Sequence, residues 1–261
     1  MKVKILFVLS LLYLDIGISN AQNLNSKFIG VETGMVFLNT KMLTKDYIRK
    51  ETAPFYSEES PADYLYSSMN IFYGGLKSEF LFFNNKFGIT TGLRHTIISS
   101  SIRSRNSSNN DFFYLLYNQD ETSTEYVKIK KATQISNYIG IPLEAKFYPL
   151  THKKFRLYFK IGADFNYLLK SKINVEYVDN TMKTYEKAVV DKFGLPNSFY
   201  SSIYASIGFR FGKSSAFSFE FCFPSLILSS GASTLVTPIP IASIQFNYQY
   251  QLKRKEKKDE N

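Results

Sequence analysis

The stretch 138-YIGIPLEAKFYPLTHKKFRLYFKIGADFNYLL-169 decides the fold class. Its second half places Phe155, Leu157, Phe159, Ile161, Ala163, Phe165, Tyr167 and Leu169 on one parity, and Arg156, Tyr158, Lys160, Gly162, Asp164 and Asn166 on the other. Period-two alternation sustained this long specifies a β-strand with one apolar and one polar face. The first half repeats the pattern, Ile139, Ile141, Leu143, Ala145 and Phe147 against Tyr138, Gly140, Glu144, Lys146 and Tyr148. The short turn 149–154 joins the two into a hairpin. A strand of a soluble sheet averages about 5–6 residues, whereas a tilted strand needs about 9–11 to cross a bilayer. A one-residue slip would turn Arg156, Lys160 and Asp164 toward lipid, at about 2–4 kcal/mol for each Lys or Arg near the midplane. The hairpin reads as membrane-spanning. A water-soluble lipocalin-type barrel, with the apolar parity inside, is the alternative the hairpin alone leaves open.

The same alternation recurs along the chain. Strand one covers about Lys27 to Phe37, with Ile29, Val31, Thr33, Met35 and Phe37 outward. The second runs from about Met69 to Phe82, with Leu76, Phe80 and Phe82 outward, and the third from Phe87 to about Ile98. The hairpin supplies strands four and five. Strand six spans Phe199 to Phe211, strand seven follows with Phe217, Phe219, Phe221 and Phe223 outward, and strand eight spans about Pro240 to Leu252. Short connections such as Phe83-Asn84-Asn85-Lys86, with Asn suited to positive φ, alternate with long polar ones at about 38–68, 99–131 and 171–198. In the last of these, Ile173, Val175 and Tyr177 can extend strand five beyond the membrane. Phe82 and Phe87, Phe147 and Phe155, and Phe211 and Phe217 flank the short turns as an interfacial aromatic girdle. The expectation is an all-β, eight-stranded, antiparallel up-and-down transmembrane β-barrel. An even strand number puts both termini in the periplasm, with short periplasmic turns and long extracellular loops.

Residues 1–21 have the form of a signal peptide: Lys2 and Lys4, the apolar run Ile5 to Leu14, and Ser19-Asn20-Ala21 before Gln22. The barrel is assigned to 22–252 and a charged periplasmic tail to 253–261. No cysteine stands at the cleavage point, so an N-terminal lipid anchor is not expected, and no later apolar run reaches the roughly 20 residues of a spanning helix. Cys222 is the single cysteine, which excludes an internal disulfide. The formal charge is +10; losing Lys2, Lys4 and Asp15 with the leader leaves +9, much of it in the tail from Lys253 to Lys258. A leader that exports the chain argues against nucleic acid as a partner.

The inward parity collects Lys77, Arg94, Lys146, Arg156, Lys160 and Arg210 against Glu32, Glu79, Glu144, Asp164 and Glu220. An eight-stranded lumen is just wide enough for side chains, and unpaired buried charge is costly, so these groups are expected to form an ion-pair network plugging the barrel. A small water pore is the alternative. Inward glycines (Gly30, Gly34, Gly88, Gly92, Gly140, Gly162, Gly208) leave room for the inward tyrosines. Pro142 lies on the same parity in mid-strand, where it cannot donate to the ladder, and predicts a bulge.

The segment Tyr138-Ile139-Gly140-Ile141-Pro142-Leu143-Glu144-Ala145-Lys146-Phe147-Tyr148, followed by Tyr158-Phe159-Lys160-Ile161-Gly162 and Tyr167-Leu168-Leu169, resembles the PorT-like outer-membrane β-barrel family. Gly140 stands where that family often carries a polar or acidic residue. The resemblance implies an eight-stranded barrel in the outer membrane of a Gram-negative bacterium, with some relatives associated with protein secretion.

Three function classes are weighed. A non-enzymatic envelope component would contact outer-membrane lipid and, through its long loops or basic tail, envelope or secretion-complex proteins. A channel would pass small solutes, although near-balanced inward charge provides no field favouring one ion sign. A lipid hydrolase would need a nucleophile, base and orienting group in reach. Its only His candidates, His95 on the lipid-facing parity and His152 in a turn, have no partner at a recognisable spacing. Two distant His and one Cys make no metal site, and no cofactor is expected.

Overall fold

The computed structural model describes residues 24–43, 45–50, 65–105, 111–119, 124–151, 154–227 and 231–252. The leader expected at 1–21, the tail expected at 253–261, His152 and most of the Ser/Asn-rich run before 111 lie outside them. Eleven strands form: β1 (Leu24–Met42), β2 (Ile48–Arg49), β3 (Leu65–Phe82), β4 (Phe87–Ser104), β5 (Phe113–Gln119), β6 (Thr124–Thr151), β7 (Phe155–Tyr177), β8 (Phe199–Phe211), β9 (Ser215–Cys222), β10 (Leu226–Ile227) and β11 (Val236–Leu252). Eight close a ring of antiparallel neighbours, β1-β3-β4-β6-β7-β8-β9-β11 and back to β1. The lipocalin-type alternative fails on side-chain direction. Ile29, Val31, Leu76, Phe159, Ile161, Phe209, Phe221 and Tyr248 point outward and exposed, while the charged parity is buried.

The ring has two different ends. At the turn end, β3–β4, β6–β7 and β8–β9 are joined by short connections. Phe83, Asn84 and Asn85 take φ of 50°, 57° and 62°, the left-handed conformation that Asn tolerates better than most residues. Phe147, Phe211 and Phe217 stand exposed around this end. Phe80, although on the outward parity, is fully covered, with the Lys27 ammonium 5.0 Å over its ring.

At the other, extended end the strands outrun any bilayer. β6 has 28 residues and β7 has 23, against the roughly 9–11 that a tilted crossing uses. Here the structure corrects the loop expected over 99–131, whereas in 171–198 β7 runs on through Ile173, Val175 and Tyr177, the extension that the sequence allows. β4 continues to Ser104, β5 and β6 form a further hairpin, and β2 adds to its edge. Beyond β7 come a 3-10 turn, Asn180–Tyr185, and the helix α1, Glu186–Phe193. The Asp179 carboxylate starts the turn by accepting the Thr181 backbone N–H at 2.9 Å, a bond that holds its pKa below the usual carboxylate range. Gly194, with φ of 74°, ends the helix.

Several register shifts occur at this end, and two irregularities set its shape. In the β6–β7 pair Asn137 faces Lys170 and Tyr138 faces Leu168, so Leu169 is an extra residue in β7. Parity therefore flips: Tyr167 points outward below the bulge, whereas Ile173 and Tyr177 point inward above it. On the far side of the ring, β9 stops at Cys222 and β10 stays with β8, so residues 236–242 of β11 pair with β1 alone. The bulge expected at Pro142 does not form. Register is the same on both sides of it, with Thr91 facing Leu143 and Arg94 facing Gly140, and pairing with β4 simply lapses in between. The pairing with β7 runs through Pro142 without a shift. A missing N–H removes a rung, but it does not require an added residue.

Candidate functional site: the filled interior of the barrel

The interior is built from inward residues of all eight ring strands, and it comes in layers. Nearest the turn end, Phe28, Leu81, Tyr148 and Tyr158 form a buried apolar and aromatic floor. Above it, Glu79 accepts from the Tyr148 hydroxyl at 2.5 Å and from Arg210 Nη1 at 2.5 Å, with Lys146 Nζ 3.2 Å away. The Arg210 guanidinium also lies 4.0 Å over the Phe28 ring. Glu220 links upward: it accepts from Tyr158 at 2.6 Å and Asn247 at 2.9 Å, lies 4.0 Å from Lys146, and pairs with Lys160.

Glu144 is the hub of the next layer. Lys77 and Lys160 each sit 3.0 Å from it, the Tyr204 hydroxyl donates to it at 2.8 Å, and Arg94 Nη2 lies 3.5 Å away. Arg94 also grips Glu32 through Nε at 2.7 Å and Nη2 at 2.9 Å, and Asp164 through Nη1 at 2.6 Å. Its guanidinium is 4.5 Å from the Tyr73 ring. Lys77 reaches Glu32 at 2.8 Å, and Gln245 donates to Glu32 at 3.1 Å. Five carboxylates and five cations thus join in one continuous network, with no net formal charge and almost no exposure. Such charges are tolerated away from water only when paired and hydrogen-bonded.

Arg156 is the exception among the inward charges named from sequence. It is half-buried at the turn end, directly opposite Arg210 across the β7–β8 pair, and its Nη1 has no hydrogen-bond partner. Among the described residues it belongs to no ion pair.

Tyrosines fill the space that the inward glycines leave. Gly162 faces Tyr204 and Gly208 faces Tyr158 in register. A Cβ at Gly162 would sit 2.7 Å from the Tyr204 ring, so the aromatic lies flat over the neighbouring strand.

Above the network the interior turns apolar. Ile71, Ile98, Ile102, Phe113, Leu115, Val127, Ile129, Ile173 and Leu235 pack into one buried core, joined by Val189 and Phe193 of α1. Alternation around Lys128 and Lys130 signals Val127 and Ile129 in the sequence, but these lay inside a segment read as polar loop. Burial pushes the pKa of Tyr47 and Tyr177, at the edge of this core, up to about 12. Between core and network lies one small cavity of about 40 Å³, lined by Arg94, Asp164, Tyr200, Ser202, Cys222 and Ser243 among others. It has room for a few waters at most. His95 faces outward on β4, and no cluster of His, Cys, Asp or Glu suited to a metal occurs among the described residues.

A closed antiparallel ring with an apolar exterior and a charged interior defines the class: a transmembrane β-barrel. Residues 20–227 match the family described as outer membrane protein beta-barrel domain, and the chain belongs to that family. It is accordingly a protein of the Gram-negative outer membrane. No curated protein matches it. Among solved structures it is similar to the outer membrane protein OprG from Pseudomonas aeruginosa, with 12% identity and a TM-score of 0.44 over 89% of this chain and 98% of that one. It is also similar to the transport unit of the autotransporter AIDA-I from Escherichia coli, with 8% identity and a TM-score of 0.25 over 90% and 91% of the two chains.

Proposed function

We propose that this protein is a non-enzymatic, non-conducting barrel that presents its extended end to envelope partners, as PorT-like relatives associated with secretion would. In this reading the short turns face the periplasm and the β5–β6 hairpin, β2 and α1 stand outside the cell. The carrying observation is the interior itself, where a neutral ion-pair network lies between an aromatic floor and an apolar core. A solute crossing the barrel would have to break charge-assisted bonds at Glu144 or Glu79 and displace packed side chains. An interior this densely paired fits a rigid support better than a pathway. The alternative, passage of a small solute, draws on the cavity beside Ser243 and the unpaired edge of β11 near it.

Planar-bilayer recording of the purified protein tests the reading. The expected result is no reproducible unitary conductance; steady, uniform steps would overturn it. Orientation is tested separately by an impermeant maleimide on intact cells. Lys187→Cys in α1 should label and Lys213→Cys in the β8–β9 turn should not, the native Cys222 being buried.

A further inference from the structure

The outer surface carries an unequal distribution of charge. Alongside and beyond the outward apolar residues Ile97, Ile135, Tyr167 and Leu169, the β4–β6–β7 wall presents cations: Lys170 and Lys172 in the rows of Ile97 and Ile135, then Arg103 and Lys131 farther out, then Lys128 and Lys130. The bulge at Leu169 brings Lys170 outward directly after an exposed lipid-facing residue, and Lys172 lies in register with the outward Ile135. Arg103 and Lys131 stand directly opposite each other on neighbouring strands; Arg103 lies 5.0 Å over the Tyr66 ring, and Glu176 is the one carboxylate near Lys131 among the described residues, so a further anion would relieve the like-charge contact. Two acids share this wall: Glu176 reaches Lys131 at 3.9 Å, and Glu125 lies farther out along β6. Lys128 leans 5.0 Å over the Phe112 ring, away from the lower cations. On the opposite wall, β8, β11 and β1 carry at this height Phe199, Thr237, Ile239, Asn39 and a single cation, Lys41, among the described residues.

We infer that this wall is a binding surface for the phosphate groups of a phosphorylated glycolipid in the outer leaflet. An amphiphile with acyl chains below and anionic phosphates above meets both requirements of the wall at once. Its chains lie along Ile135, Phe165, Tyr167 and Leu169, and its phosphates reach Arg103, Lys131, Lys170 and Lys172. Cations at the headgroup level of an anionic leaflet contribute additively, and Arg beside Lys supplies bidentate contact to phosphate. The inference rests on the orientation proposed above, because the band then lies at the outer leaflet.

The test is co-sedimentation and native mass spectrometry of the full barrel in phosphatidylethanolamine vesicles containing either bisphosphorylated lipid A or its dephosphorylated form. The phosphorylated form should be retained at least fivefold more strongly. Arg103→Glu/Lys170→Glu/Lys172→Glu should remove that preference, while Lys86→Glu with Lys213→Glu at the turn end leaves it intact. The triple variant must still give a heat-modifiable barrel; if it does not, the milder Lys170→Gln/Lys172→Gln should reduce the preference at least twofold. Equal retention of both lipids, or an unchanged preference in the variants, overturns the inference. So does retention abolished by inorganic phosphate at millimolar concentration, which would make the wall a site for free anions. Reversals that spare lipid but cut cross-linking to an envelope protein would assign the wall to a protein partner, also against the inference. Failure of orientation reads out only in the maleimide labelling, not in vesicle retention.

Discussion

The two halves of β7 make opposite use of the same alternation. Between Leu157 and Tyr167 its odd residues face outward and its even residues, Lys160 and Asp164 among them, are buried in the interior. Past the extra residue Leu169, odd residues Ile173 and Tyr177 are buried in an apolar core while Lys172 and Asn174 meet solvent. One bulge therefore inverts the strand where its surroundings change from hydrocarbon to water. Inside the membrane apolar side chains can be satisfied outward, so the interior is free to hold charge. Beyond it, the hydrophobic effect operates in its ordinary direction and apolar groups must turn inward. β4 solves the same problem without a bulge, by changing residue type on one parity, from Arg94 to Ile98 and Ile102.

This difference predicts unequal responses to side-chain removal. The largest effect should follow loss of the hub carboxylate. Glu144→Ala strands surplus positive charge among Lys77, Arg94 and Lys160, and breaking a buried pair in this way costs about 3–5 kcal/mol. The whole barrel should lose heat modifiability at lower temperature and unfold at lower urea concentration in vesicles. Combining Glu144→Met with Lys77→Met should recover most of the loss, because Glu32 keeps Arg94 and Gln245. A double variant as unstable as the single one would mean that the hub acts through more than charge balance.

In the extended end, Phe113→Ala opens a cavity in the fully buried core, for about 3 kcal/mol, the low end for such truncations. That loss should stay local, because the ring below is held by its own ladders. Limited proteolysis is expected to cut within the β5–β6 hairpin or α1 while the heat-shift temperature of the barrel barely moves. A matching drop in barrel stability would show that the two halves fold as one unit.

How much of this was legible in the sequence follows from the same contrast. Membrane-spanning alternation puts apolar residues on one parity with charges on the other, and β8 reads out at its full length, Phe199–Phe211. Above the membrane the signal weakens. Val127 and Ile129 alternate with Lys128 and Lys130, but a two-residue apolar repeat between lysines resembles a solvated loop, and the bulge at Leu169 breaks any continuous parity. α1 buries only Val189 and Phe193, too short a stripe to stand out. Within the interior, parity identifies which charges point inward but not which of them share a layer. Contacts such as Arg210 with Glu79, or Lys77 with Asn247, join strands distant in sequence. They depend on strand stagger around the ring, which single-strand patterns do not carry.

Arg156 shows where parity reasoning reaches its boundary, and it provides the smallest predicted effect. It lies on the inward parity, but at the turn end of β7, only part-buried and opposite Arg210. Arg210 is held by Glu79 and Phe28, which leaves Arg156 outside the ion pairs among the described residues and with a like charge beside it. Its Nη1 is covered and unpartnered, while the rest of the group is part-exposed at the barrel mouth, where solvent screens the repulsion. Arg156→Gln should therefore change barrel stability by less than about 0.5 kcal/mol, as for substitutions away from buried networks. Its unfolding midpoint should also rise slightly relative to wild type when salt is lowered, because a repulsion of the Arg210 charge has been removed. A loss comparable to that of Glu144→Ala would place Arg156 inside the network after all. It would mean that the ionic interior reaches the turn end instead of stopping at the aromatic floor.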